Sequence, residues 1–523
     1  MKTNKLFLVF AATVVTLSGY VLAVFFPGCF GFDQLKYFPQ PLATASPVLF
    51  LGLAAAAVFF PAGNLFAKKH LWPVSAVLIA GWLAALVLLR ASAPLLGDGM
   101  DRISSLAEPL LKTARTQPAP LDIFLHWAAY RLLAPFAADA GHLAYSLNSY
   151  LAGLLYLAAV IFLARKVLSG PAARFFFAAV MLAAGFVQLF AGYAENYCFI
   201  PAGLVFWMAG VKGSETGKFS VPAAAQITLI LLHFFFLLLL PVTVWVLWRN
   251  AGRKSLPLLS CLAAFGFMVS ITALFMVRHS YRGPAIFLDP ARIFSLPHLA
   301  DFLNLQILAC PALLLLLLAL AFARGKPPAA ILEKALLGAS VIFLAFFFIL
   351  RPVLGAVRDW DLFSIPAMIY TAFLLIYALN RLEREPGILN ALAAAAVLVS
   401  IFHTGSWLLL NHSEEKMVSR IASHLEARQS RERWASGYGF LVMADYFEQQ
   451  GRVPESDSAF RKAGQINPGY SVIHQNYGLF LWKHGRRENA IQEMELAARL
   501  NPTNQRIKMI LAGFRAQYQA GQE

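Results

Sequence analysis

The residues able to do chemistry stand at the edges of apolar runs. Asp98 lies between two glycines, Gly97 and Gly99, directly after one such run, and Asp101 follows three residues later. Glu195 sits in the turn Ala191–Tyr197 between two others. Asp359 and Asp361 flank Trp360 just after Arg358, immediately before another run. The segment 278–300 adds Arg278, His279, Arg282, Arg292 and His298, and His233 lies inside an unusually long apolar stretch. A carboxylate beside a lipid–water boundary can take the proton of an attacking hydroxyl, an effect worth about 10²–10⁴ in rate. Arginine forks match phosphate oxygens and can stabilise a departing phosphate. Together these suit transfer of a group from a lipid phosphate. Each also has a plain alternative. Gly97–Gly99 is a turn, Asp101 or Ser104 caps a helix, Arg358 pairs with a neighbouring acid, and Tyr193 and Tyr197 anchor at an interface. No zinc-ligand spacing, phosphate-binding glycine loop or nucleophile elbow is present.

The elements that must position these groups are membrane helices. The chain has 523 residues, 59% of them hydrophobic and only 13% charged, where a soluble domain is about a quarter charged. Apolar runs centre on 6–26, 46–66, 71–90, 143–164, 172–191, 197–211, 221–248, 257–277, 303–323, 330–350, 363–380 and 388–410. About 18 apolar residues suffice to cross a bilayer. The start, with Lys2 and Lys5 before an apolar stretch, reads as an uncleaved first span. The net charge of +16 is explained by Lys and Arg in short loops on the cytoplasmic side, without nucleic acid as a partner. Lys68, Lys69, Arg165, Lys166, Arg174, Lys212 and Lys218 obey one alternation of sides. Arg249, Arg253 and Lys254 fit it only if 221–248 dips in and returns as two short segments, which is tolerable where protein or water covers the break. Arg324, Lys326, Arg381 and Arg384 then agree as well. This topology puts 92–142, 192–196, 278–300, 351–361 and everything after 411 outside, so the unusual polar residues share one face. Within 92–142, residues 121–133 read as an interfacial amphipathic helix, with Leu121, Phe124, Leu125 and Ala128 on its apolar side. Four cysteines give no disulfide framework.

Beyond Asn411 the chain is polar and repeats with a period of 34. Gly451-Arg452 recurs as Gly485-Arg486, Ala463 as Ala497, and Asn467-Pro468 as Asn501-Pro502. Ala444 and Gly478 take the small position of one helix, and Phe460 and Met494 the large position of the next, while Ser456 stands opposite Ala490. This resembles the tetratricopeptide repeat.

Gly192-Tyr193-Ala194-Glu195-Asn196-Tyr197, His298-Leu299-Ala300-Asp301-Phe302-Leu303-Asn304 and Arg358-Asp359-Trp360-Asp361-Leu362-Phe363 resemble motifs of a bacterial group of GT-C membrane glycosyltransferases. The long first outer loop, opened by an acid, supports the same resemblance to protein O-mannosyltransferases and aminoarabinose lipid A transferases. The runs predict, in agreement with this resemblance, an all-α chain of about 11–13 membrane segments. It would comprise a membrane domain over 1–410, a linker helix over 411–436 and a repeat domain over 437–523 with a capping helix over 504–520. The resemblance implies transfer of a sugar from a polyprenyl-phosphate donor at the periplasmic face of a bacterial inner membrane, with the N-terminus cytoplasmic and the tail periplasmic. Asp98 becomes the base or metal-linked acid, Asp101 the second candidate and Glu195 an accessory acid. Arg358 and Arg282 would meet the lipid phosphate, with Arg278, His279, Asp359, Asp361 and His233 also lining the substrate site. Many members show paired acids, whereas this loop offers Asp98-Gly99-Met100-Asp101, so a divalent cation (Mg or Mn) at Asp98 is left open. A non-catalytic scaffold recruiting an envelope partner through the repeats, or a transporter of a lipid-linked substrate, are the alternatives.

Overall fold

The computed structural model describes residues 2–26, 28–59, 68–110, 119–280, 285–323, 328 and 330–520, without the side chains of 2, 68–72 and 275–280. Among these residues there is no strand, only a single bridge between Phe287 and Leu350. Helices are what an apolar chain must form in lipid, because each satisfies its own backbone donors and acceptors. In chain order they are α1 (Lys2–Phe25), α2 (Gln40–Phe59), α3 (Lys68–Leu88), α4 (Gly99–Ser105), α5 (Pro120–Leu133), α6 (Ala140–Val167), α7 (Pro171–Ala183) and α8 (Ile200–Ser214). There follow α9 (Ser220–Leu232), α10 (Leu240–Ala251), α11 (Leu256–Ser280), α12 (Leu296–Ala309), α13 (Leu313–Phe322), α14 (Ile331–Ile349), α15 (Trp360–Phe363), α16 (Ile365–Leu382) and α17 (Pro386–His412). The polar tail holds α18 (Glu414–Arg428), α19 (Arg433–Gln449), α20 (Val453–Ile466), α21 (Ser471–Lys483), α22 (Arg487–Leu500) and α23 (Gln505–Ala520). The chain divides into two compact units, one of residues 1–351 and 359–417 and the other of 352–358 and 418–523.

In the first unit, seven helical stretches of the described residues are long and apolar enough to cross a membrane, or eight if the bent pair α12–α13 counts as one span. The chain is a multi-pass helical membrane protein. Three shorter apolar helices, Pro73–Leu88, Pro171–Ala183 and Ser220–Leu232, accompany them. The long run 221–248 is broken, as its excess length predicts. Helix α9 stops at His233, whose backbone is extended (φ −162°, ψ 129°), and a 3₁₀ turn over Phe234–Leu239 leads into α10. The run 303–323, expected to be continuous, bends by 86° between α12 and α13. The break falls at Cys310–Ala312, and Pro311 lacks the amide that an unbroken helix would use there.

The helix at the centre is Trp360–Leu382, whose apolar window is 94% buried, against 17% for Phe234–Leu274. Its far end is clamped by Arg381, which donates to both carboxylate oxygens of Glu333 at 2.9 Å and lies 3.6 Å over the Tyr377 ring. Near that end Lys5 meets Glu385 at 2.8 Å, joining the start of α1 to the turn before α17. Lys166, at the end of α6, donates to the carbonyl of Ala209 near the end of α8. The starts of α6, α8 and α16 therefore lie at the opposite end of the bundle from these cations. The end of α17 returns there, its Asn411 carbonyl accepting from both the amide and the hydroxyl of Ser92 at 3.0 Å.

The second unit repeats a helix pair. Helices α19 and α20, then α21 and α22, pack together with α23 beyond them. Gly451 and Gly485 turn each pair with positive φ (+71° and +77°), and Asn467 and Asn501 end the second helix of each with matching backbone angles. Ala444, Ala463, Ala490 and Ala497 are fully buried with Phe460 and Met494. Ser456 tolerates its small-residue position because its hydroxyl donates to the Ala444 carbonyl at 2.9 Å.

Candidate active site

At the end of the first unit opposite the Glu333–Arg381 clamp, three stretches converge: 91–106, 191–199 and 359–364. The loop 191–199 is buried throughout, and Glu195 within it is only 2% exposed. A buried carboxylate needs donors, and this one has several. Its Oε2 accepts from the amide of Asn196 at 2.9 Å, and its Oε1 accepts from the amide of Asp98. Arg102 Nε lies 3.5 Å from Oε2, and the same guanidinium lies 3.7 Å from Asp98 Oδ2. Helix α4 starts at Gly99 and places Arg102 one turn after Asp98, so both carboxylates share one cation.

Gly97 makes the arrangement possible. Its φ is +60°, and a Cβ there would lie 2.6 Å from Glu195 Oε1 and 2.9 Å from Asp361 Oδ2. Glu195 and Asp361 therefore both press on one bare Cα. Asp361, at the start of the central helix, accepts from the Leu362 amide at 2.8 Å and from the Tyr193 hydroxyl at 2.9 Å. Trp360 Nε1 in turn donates to that hydroxyl at 3.0 Å. Tyr193, expected as an interface anchor, is buried and ties the two loops together. Burial, then the charges of Asp361 and Glu195, hold its phenol well above the ordinary range, so it remains a donor.

Electrostatics separates the two acids nearest Arg102. Burial pushes the Glu195 carboxyl up, Arg102 pulls it back, Asp98 adds to the rise and the two amides oppose it, leaving it at about 7. Burial alone would lower the Arg102 guanidinium, but Glu195 and Asp98 outweigh it and hold it above its usual value, so it is always charged. Asp98 differs in access. Its side chain is 37% exposed, and it occupies the position before α4 without using its carboxylate as a cap.

The structure thus brings together Asp98, Glu195 and Asp361. Asp359 is buried one residue before α15, within electrostatic reach of Tyr197. Asp101 is exposed on α4. His233 is buried, its ring 5.5 Å from that of Tyr197 and its Nδ1 accepting from the Phe235 amide at 3.3 Å. Arg358 belongs to the second unit, where it is buried and lies 5.7 Å over the ring of Tyr438. Arg282 lies outside the described residues, as do the side chains of Arg278 and His279. His298 spends its Nε2 on the Phe348 carbonyl at 2.8 Å, and Arg292 is exposed. Arg102 is the residue that sequence reasoning missed, although its four-residue spacing from Asp98 was there to be used. Helix α5 has a side that the sequence reading left out: Asp122, Ile123 and His126 face inward, with His126 Nδ1 3.1 Å from Asp122 Oδ2, while Phe124 on the apolar side is 48% exposed.

No family model and no curated protein matches the chain. Among solved structures it is similar to ArnT from Cupriavidus metallidurans bound to undecaprenyl phosphate, at 16% identity and a TM-score of 0.46, over 69% of this chain and 80% of that one. The apo state of the same protein gives a TM-score of 0.43 at the same identity and coverage.

Proposed function

We propose that the chain is a GT-C-like glycosyltransferase that moves a sugar from a polyprenyl-phosphate donor to a hydroxyl acceptor at the outer face of a bacterial inner membrane. The observation that carries this is the Asp98–Arg102–Glu195 constellation, one accessible carboxylate held by a buried one at the end of a membrane bundle. Asp98 is the base. The acceptor oxygen attacks the anomeric carbon as its proton passes to Asp98, the bond from that carbon to the phosphate oxygen breaks, and polyprenyl phosphate departs with the electron pair. Glu195 touches no substrate in this scheme; it positions Asp98 through the main chain. The cations of 278–300, Arg278, His279 and Arg282, are the proposed contacts of the lipid phosphate.

A divalent cation does not fit between Asp98 and Glu195. The Arg102 guanidinium lies within 3.7 Å of both and already supplies the positive charge that such an ion would bring. The basic ends at Lys5, Lys166 and Arg381 are the proposed cytoplasmic side. Residues 437–523, with their 34-residue period, are proposed as a tetratricopeptide-type surface for a protein partner or acceptor, after a linker over 411–436.

The test uses the purified chain in nanodiscs with a panel of polyprenyl-phosphate hexoses, following release of polyprenyl phosphate. One donor should be consumed, and Asp98→Asn should slow its consumption by about 10² or more without weakening binding of undecaprenyl phosphate. Added Mg²⁺ or Mn²⁺ should not raise the rate. A chain that neither binds undecaprenyl phosphate nor releases it from any donor is no such transferase, and the scaffold alternative takes its place.

A further inference from the structure

On α5, Asp122 and His126 stand one helical turn apart, and neither has exposed surface. The loop 191–199 lays Cys198, 1% exposed, against them. One ligand-capable atom from each of the three lies within 4.8 Å of the others. His126 Nδ1 is 2.9 Å from the Asp122 carbonyl and 3.1 Å from its Oδ2. With its proton donated to the Asp122 carbonyl, the ring directs the Nε2 lone pair toward Cys198 Sγ, 4.0 Å away. Tyr145 stacks on the imidazole at 4.2 Å with 26° between the planes, which fixes the ring's orientation.

A thiol, an imidazole and a carboxylate gathered without water access are costly unless something compensates them. Nitrogen, sulfur and oxygen donors of this kind match zinc, whose bonds are roughly 2.0 Å to nitrogen and 2.3 Å to sulfur. Two such bonds from one centre span the 4.0 Å between Nε2 and Sγ at an obtuse angle. The His126 ring would then be oriented by a hydrogen bond from its other nitrogen, as metal-ligating histidines usually are.

We propose that Asp122, His126 and Cys198 form a binding site for a divalent metal ion of the zinc class. The ion joins α5 to the loop that carries Glu195 three residues before Cys198, so its role is to fix that loop. The site stands apart from the transferase scheme and holds whether or not Asp98 is a base.

The experiment is metal analysis of the full chain purified in nanodiscs. The protein as isolated should carry about one zinc ion per chain. After stripping with a chelator, Co²⁺ should bind with the near-ultraviolet band of thiolate-to-cobalt charge transfer. Cys198→Ser should remove that band and Cys29→Ser should leave it. Zinc-edge X-ray absorption on the wild type covers the case in which Cys198→Ser does not fold, and should show one sulfur among the ligands. A protein that neither carries zinc nor binds Co²⁺ after stripping overturns the proposal. So does a band that survives Cys198→Ser, or a zinc shell without sulfur; Asp122–His126 is then an ordinary buried hydrogen-bonded pair.

Discussion

Glu195 and Asp98 are both carboxylates, yet their surroundings assign them opposite tasks. The groups that hold the Glu195 carboxylate are donors, two amides and a guanidinium, although the carboxylates of Asp98 and Asp361 also lie close by. The ionised form of Glu195 grips the Asp98 amide, and protonation weakens that grip. The carboxyl lies at about 7, so the rate of a reaction that depends on a well-held Asp98 should rise with pH through that point. A pH–rate profile should show this inflection in the wild type, with the lower rate on the acid side. Glu195→Gln should flatten it while lowering the rate throughout. A profile unchanged by Glu195→Gln would remove Glu195 from the site. Asp98 and Glu195 were legible in the sequence because charge is scarce there and both follow apolar runs directly. Arg102 was hidden by its context, since an Arg one turn after an Asp in a polar loop reads as an ordinary helix pair. Asp122 and His126 are hidden for another reason: an amphipathic pattern marks the apolar side of α5, with Phe124 outward, but gives no sign that the polar side is the buried one.

At the scale of elements, the position of Asp361 depends on the register of α15 and α16, and the far end of α16 is held by charge. Glu333 and Arg381 form a bidentate pair with side chains 5% and 11% exposed. Removing one member of a buried pair strands the other and costs about 3–5 kcal/mol. Glu333→Ala should therefore lower the unfolding temperature in detergent strongly. Replacing both residues with leucine should recover most of the loss, since an apolar pair of similar volume leaves no charge behind. Equal melting of Glu333→Ala and wild type would show the clamp to be incidental. The two interruptions of helix differ in how far sequence reveals them. The break at His233 follows from a run too long for one span and from basic residues on the wrong side of it. The bend after Ala309 leaves neither trace, because the leucines of α13 continue the apolar run and only Pro311 marks the corner.

At the scale of the whole molecule, the helical class and multiple crossings follow from composition alone, because lipid leaves an apolar chain little other choice. Which helix lies at the centre does not. Helices α1, α14 and α16 have similar hydropathy, from 2.0 to 2.2, yet their apolar windows are 33%, 44% and 94% buried, the last counted with α15. That difference has a genetic signature. A lipid-facing helix forgives substitution along one stripe, so a deep mutational scan of α1 should show tolerance recurring every three to four positions, at Phe7, Leu8, Val15 and Leu22 among others. The scan of α16 should show no such rhythm. Each of its positions has a protein neighbour, so a swap between Leu, Ile and Phe that lipid would ignore should be counter-selected on every side. Evolution can repaint the outer helices freely, but this one can change only in concert with its neighbours.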